Sequence, residues 1–285
     1  MLRADRIPPA LLVLVAVASV QFGGALAKTL FDEIGPGGTV FLRVLFAAIV
    51  LIAVWRPAVA GRSAADWRLV LSYGLALVAM NLSFYEALER IPLGIAVTIE
   101  FVGPLGVAVF GSRSRLDLVW VAIAAAGIVL LSDFGTADLD GLGVALALLA
   151  GCFWAAYILL AARVGRTYPG GQGLALAMGA GALMLAPVGV ADGGGDLIGL
   201  GVLATGFGVA MLSSAIPYTL ELEALRRMPA GVFGVLMSLE PAMAALAGFI
   251  VLDEGLATRE LIAILLVVTA SAGAARSAVV PPRDA

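Results

Sequence analysis

The chain of 285 residues contains no histidine, a single cysteine and only 13% charged residues. Without histidine, the commonest proton shuttle and metal ligand is missing. No cluster of cysteine and carboxylate with metal-ligand spacing takes its place. The lone Cys152 lies in an apolar run, which excludes an intramolecular disulfide and predicts a small packed residue. No Gly-rich phosphate cradle joins a strand to a helix; Gly35-Pro36-Gly37-Gly38 and Gly193-Gly194-Gly195 read as turns. No metal, cofactor or nucleic acid is therefore expected. What the chain has in abundance is apolar residues, 62% of the total, with a mean hydropathy of +1.07. Soluble domains carry about 45–50% apolar and about 25% charged residues, so the solvent for most of this chain must be lipid.

Apolar stretches near the roughly 20 residues that cross a bilayer fall at 10–27, 36–55, 69–88, 93–111, 117–132, 141–161, 172–190, 197–219, 230–251 and 261–276. Short connections leave no room for a soluble domain. The loops alternate in charge. One side collects Arg3, Arg6, Arg56, Arg62, Arg68, Arg113, Arg115, Arg163, Arg166, Arg226, Arg227, Arg276 and Arg283; the other holds only Lys28, Arg90 and Arg259. The positive-inside rule then puts both termini in the cytoplasm. Met1–Lys28 has the outline of a signal peptide, but the likeness of the Phe22 region to that around Phe153 predicts a retained helix.

Glu86-Ala87-Leu88-Glu89-Arg90-Ile91-Pro92-Leu93-Gly94 returns 137 residues later as Glu223-Ala224-Leu225-Arg226-Arg227-Met228-Pro229-Ala230-Gly231. The register holds on to Pro104 with Pro241 and Gly111 with Gly248, giving nine identities in 26 positions. Chance recurrence of Pro and Gly at helix starts does not produce a second proline at matched spacing. The first copy falls in an outer loop and the second in an inner one, and five spans per half is an odd number. The expected architecture is all-α and membrane-integral: ten transmembrane helices in two inverted five-helix repeats, residues 1–135 and 136–285, around a central cavity. Pro104 and Pro241 fall mid-span, where each removes a backbone hydrogen bond and bends or opens its helix. With Pro92, Gly94, Pro229 and Gly231 they are the candidate hinges or gates, the alternative being that they only shape packing.

The Pro-Leu-Gly-Ile-Ala-Val start at Pro92, the Glu100-Phe101-x-Gly103-Pro104 centre and the following Arg115-x-Asp117-x-x-Trp120 carry a resemblance across residues 87–131. A second stretch, 225–254, shares a more general pattern. Together they resemble the EamA family of the drug/metabolite transporter superfamily, with the closest likeness to its threonine/homoserine-exporter-like amino-acid efflux carriers. The resemblance covers essentially the whole chain. It implies a multi-pass exporter in a bacterial inner membrane, with a small-molecule substrate, amino acids first among them, in a cavity between the halves. One chain suffices to form that cavity, and a dimer stays open.

Three ionisable residues lie deep in spans, where each is a functional candidate by default: Arg43, Glu100 and Glu240. Arg43 is seven residues beyond Pro36 and Glu100 seven beyond Leu93, so at about 1.5 Å per residue both lie at similar depth and an Arg43–Glu100 pair is expected. Such a pair is either a structural brace or a site for the substrate's ammonium and carboxylate. Proton coupling, without histidine, falls on Glu100 or Glu240. Glu240 precedes Pro241 and reads as a helix-opening device or a substrate contact. The polar and aromatic candidates are Asn81, Tyr85, Trp154, Tyr157 and Tyr218, drawn from a wider mid-span pool with Gln21, Ser72, Tyr73, Ser83, Thr98, Ser213, Ser214 and Ser238. Singly, each is also explained by bonds within its own helix or by residence at the interface. The leading function is export of small amino acids by alternating access. A broad exporter of drugs or cationic metabolites is the alternative. A membrane-embedded enzyme lacks its catalytic cluster, and a receptor or structural subunit has no use for two symmetric proline breaks.

Overall fold

The computed structural model describes residues 7–91, 93–112, 114–131, 140–240, 243 and 258–279, and every regular element among them is helical. The first helix, α1 (Pro9–Trp55), is entered through Pro9, whose missing amide hydrogen is no loss in a first turn. It is interrupted once. Gly35 takes φ 67° and ψ 171°, a conformation glycine reaches without strain, and Pro36 pushes the residue before it out of the helical region. A second arm begins there, and its Gly37 amide donates to Asp192 Oδ2 at 3.0 Å. A carboxylate from a distant helix thus caps a new N-terminus.

Helix α2 (Ala64–Leu88) opens on a reciprocal cap. Ser63 Oγ accepts from the Asp66 amide at 3.1 Å, and Asp66 Oδ2 accepts from the Ser63 amide at 3.0 Å. The next apolar stretch is split into α3 (Leu93–Glu100) and α4 (Val102–Gly111), with the break at Phe101. Pro104 accounts for it: the ring brings no amide and crowds the carbonyl four residues back, that of Glu100. Then come α5 (Arg115–Leu131), α6 (Gly141–Thr167), capped by Asp140 Oδ1 on the Gly143 amide at 2.9 Å, and α7 (Gln172–Gly193). A 3-10 turn at Gly194–Ile198 leads to α8 (Leu200–Ala210), a π turn at Met211–Ala215 and α9 (Ile216–Leu225). Helices α10 (Ala230–Met237) and α11 (Thr258–Val279) complete the described chain.

Five stretches are long and apolar enough to cross a membrane: Thr29–Trp55, Ala64–Leu88, Gly141–Thr167, Gln172–Ile198 and Leu200–Leu225. Pro9–Gly24, Val102–Gly111 and Leu261–Ala274 are shorter apolar helices. Large apolar side chains point outward from several of them, with Leu183 79% and Phe110 93% exposed. Such a surface is a liability in water and unremarked in lipid.

Several helix pairs come closest at glycine. A Cβ on Gly74 would stand 2.7 Å from the Ala177 carbonyl, and one on Gly151 the same distance from that of Glu100. Gly234 lies tighter still against the Pro104 carbonyl. These contacts lock α2 on α7, α3–α4 on α6 and α10 on α4. The second arm of α1 packs along α7, and α5 along α11.

The expected boundaries need correction in four places. Helix continues through residues 28–34, because Leu30 and Ile34 are buried with Leu197 and Val202. Span three begins at Ala64 on its cap rather than at 69. Span six runs on to Thr167, and span eight to Leu225 through a π turn. Cys152 is exposed rather than packed, since the neighbouring Gly151 occupies the buried position. Pro92, Pro241 and, apart from Met243, the second half of the expected ninth span lie outside the described residues.

Candidate functional site

A π turn prepares the centre of the site. Pro217 brings no amide hydrogen, so the Ser213 carbonyl one turn back cannot be closed in the α pattern. Two other groups come in from α1. Ser19 Oγ donates to the Leu212 carbonyl at 2.7 Å, and Arg43 Nη2 donates to the Ser213 carbonyl at 2.7 Å. Arg43 is buried, and its remaining bonds are as specific. Nε donates to Ser214 Oγ at 2.7 Å, Nη2 also to the Tyr218 hydroxyl at 3.0 Å, and Nη1 to the Tyr85 hydroxyl at 3.3 Å. The Tyr218 hydroxyl also accepts from Asn81 Nδ2 at 3.4 Å, and Asn81 is anchored to the Leu77 carbonyl of its own helix at 2.7 Å. Arg43, Asn81, Tyr85 and Tyr218 therefore form one buried cluster across α1, α2 and α9.

Every partner of Arg43 in that cluster is neutral. Among the described residues no carboxylate lies within ion-pair distance of it, so the expected Arg43–Glu100 pair is not formed. Matching depth was the basis for that pair, but depth does not fix where a side chain points around its helix, and Arg43 points at the freed carbonyl. One of the two Nη1 hydrogens has no protein partner among the described residues.

Tyr157 lies below this cluster on α6. Its ring stacks on Tyr73 at 5.6 Å and tilts against Tyr218 at 5.4 Å, and its hydroxyl donates to Glu221 Oε2 at 2.6 Å. Trp154, one turn earlier, meets Phe101 edge-on at 5.0 Å, beside the break between α3 and α4. Glu100 is buried at that break, with no hydrogen bond to its carboxyl among the described residues. It is in electrostatic reach of Glu240 and Arg43. Glu240 is half-buried, and its backbone carbonyl accepts from Gln21 Nε2 at 3.4 Å.

Among the hinge candidates, Gly94 lies in α3 and Pro104 is buried in α4. Pro229 is the residue before α10, and Gly231 faces Gly111 across the α4–α10 contact. Glu221 was missed from sequence. The expected span ended at 219, two residues short, while the helix that carries it runs to Leu225. The usable signal was the apolar spacing continuing through Leu220, Leu222 and Leu225.

The model of the EamA-like transporter family matches the chain twice, over residues 7–134 and 141–275. The threonine/homoserine exporter RhtA of Salmonella typhimurium is 42% identical over 268 residues, covering 93% of this chain and 90% of that protein. Its namesake in Escherichia coli is 43% identical over the same shares. A solved crystal structure at 18% identity superposes with a TM-score of 0.80, over 95% of this chain and 97% of that one, a likeness of fold.

Proposed function

The chain belongs to the EamA-like transporter family, and from that premise we propose that it exports small amino acids from the cytoplasm by alternating access. The carrier is read as ten transmembrane helices in two inverted repeats, 1–135 and 136–285, in a bacterial inner membrane with both termini cytoplasmic. Several observations support the duplication. The family model matches once in each half. Helix breaks fall at Phe101 and at Ser238, which are 137 residues apart. Asn81 and Tyr218 have the same offset and touch each other, as equivalent positions do beside a two-fold axis.

Arg43 carries the substrate reading. A buried guanidinium held by hydroxyls and a carbonyl, with a donor to spare, is a preformed seat for a carboxylate. Glu100, buried without a hydrogen bond to its carboxyl among the described residues, supplies the opposite charge for an ammonium group. Phe101 and Trp154 supply an apolar wall. The prolines and glycines at Pro92, Gly94, Pro104, Pro229, Gly231 and Pro241 supply the bending points, and Glu240 sits beside the last of them. The relatives are named as threonine/homoserine exporters, which supports a carrier rather than an enzyme and puts threonine and homoserine first in any panel.

The lack of an ion pair at Glu100 among the described residues also favours a second reading, export of cationic drugs or metabolites. One experiment separates the two. Membrane vesicles are loaded with a panel of amino acids, and efflux is measured with and without the protein and with Arg43→Ala. Amines that lack the carboxylate serve as competitors. Amino-acid export predicts substrate-specific efflux that Arg43→Ala abolishes and such amines leave untouched. Strong competition by the amines favours the cation reading, and no specific efflux across the panel sinks the amino-acid one.

A further inference from the structure

One buried carboxyl has no part in the substrate reading. Glu221 on α9 is 2% exposed, and its hydrogen bond among the described residues is to the Tyr157 hydroxyl at 2.6 Å. No arginine or lysine lies within ion-pair distance of it among the described residues. Tyr157 on α6 touches it, and the other titratable groups in electrostatic reach are Tyr73 on α2, Tyr218 on its own helix, Arg43 on α1 and, beyond α10, Glu240. The Tyr73 hydroxyl is fully buried, has no hydrogen-bond partner among the described residues, and belongs to the ring that stacks on Tyr157.

A carboxylate with one hydrogen bond in a dry interior is expensive, and the neutral acid far less so. A phenol suits both states, because its hydroxyl donates to a carboxylate and its oxygen accepts from a carboxylic acid. The pair therefore holds its geometry with or without the proton. Arg43 is in electrostatic reach of the pair but bonded elsewhere. Glu221 also stands one turn from the end of α9, where Glu223, Arg226 and Arg227 are partly exposed. The charged end of α9 is thus close on one side and a tyrosine stack lies on the other. Glu100 and Glu240 differ in both respects: they flank the proline-broken helices, and neither carboxyl has a phenol partner among the described residues.

We propose that Glu221, held by Tyr157, is the proton-binding site of the transport cycle. In one conformation the carboxylate takes a proton from the outer side; in the other the acid gives it up to the cytoplasm. One proton moves inward for each zwitterionic amino acid that moves outward, so each cycle carries one positive charge inward. This rests on the amino-acid export reading, and it moves the coupling group from Glu100 or Glu240 to a residue of the second half.

The test uses the full-length protein in proteoliposomes with radiolabelled L-threonine. Two quantities are read: exchange across a membrane with equal pH on both sides, and uphill accumulation driven by a pH gradient, with and without a protonophore. The wild type is expected to do both, with the second collapsing on protonophore. Glu221→Gln is expected to exchange more slowly but measurably, and to lose uphill accumulation entirely. Glu221→Asp restores accumulation, and Tyr157→Phe shifts the midpoint of its pH profile. Accumulation by Glu221→Gln that matches wild type, protonophore sensitivity included, overturns the proposal. So does wild-type transport indifferent to the pH gradient. Should Glu221→Gln fail to exchange at all, Tyr157→Phe decides, and an unshifted profile counts against the site. If the wild type exchanges no threonine or other panel member, the export reading fails instead.

Discussion

Pro104 and Pro217 each break a helix in this protein, and the backbone groups they release are used in opposite ways. At Pro217 the freed Ser213 carbonyl is taken by Arg43, and the surrounding bonds tie together α1, α2 and α9. At Pro104 the crowded Glu100 carbonyl rests against the bare Cα of Gly151, and the Glu100 side chain has no hydrogen bond among the described residues. One break is fastened by a charge, and the other is held only by close fit. A fastened break makes a fixed binding surface. On the proposed function, the break held by fit is the one that bends, and its carboxyl is the one that meets the substrate.

The sharpest way to break that contrast is Arg43→Ala. It strips four hydrogen bonds and should lower export by at least about a hundredfold, about 2.7 kcal/mol, in an efflux assay at matched protein level; near-normal efflux would end Arg43's claim to the substrate. Gly151→Val comes next. Its Cβ would stand 2.7 Å from the Glu100 carbonyl, so overpacking of about 1–3 kcal/mol should appear as a lower melting temperature in detergent. An unchanged melting temperature would mean that the Pro104 break moves aside freely.

Glu100→Gln tests the open end. It is expected to raise the KM for the exported amino acid about tenfold, ~1.4 kcal/mol, while leaving the melting temperature alone, since the carboxyl has no bond to lose among the described residues. A fall in melting temperature with unchanged KM would make Glu100 a brace. Two smaller changes grade the fastened end. Tyr218→Phe removes the acceptor of both Arg43 and Asn81 and should destabilise by about 1 kcal/mol. Tyr85→Phe gives up only a 3.3 Å bond and should fall at the lower end, about 0.5 kcal/mol. A reversed order of the two would show that Arg43 leans on Tyr85 instead.

Much of the helical layout was legible because lipid leaves few options: apolar length, basic loops and Gly-Pro turns gave stretches close to the helices observed. Where the sequence misled, a local interaction had outvoted hydropathy. The Ser63–Asp66 cap starts α2 five residues before its apolar run, and burial of Leu30 and Ile34 keeps helix where a polar loop was expected. Arg43, Asn81, Tyr85 and Tyr218 were legible as candidates because polar groups in lipid are conspicuous. Their partners were not. Pairing depends on the direction a side chain takes around its helix, and the π turn that sets that direction at Ser213 has no simple signature beyond Pro217. Glu221 escaped because a carboxylate near an expected helix end looks like an ordinary interfacial charge.

The cap that Asp192 places on the second arm of α1 has a mechanical consequence. The Gly37 amide is tied to α7 at one end of that arm, and Trp55 presses on Gly170 and Gly171 at the other. Between them Gly189 lies against Phe41 and Gly181 against Val44. The two helices are thus riveted at both tips and along their length, a post rather than a pair of jaws. If the site opens first to one side and then to the other, the doors are the helices hung around this post.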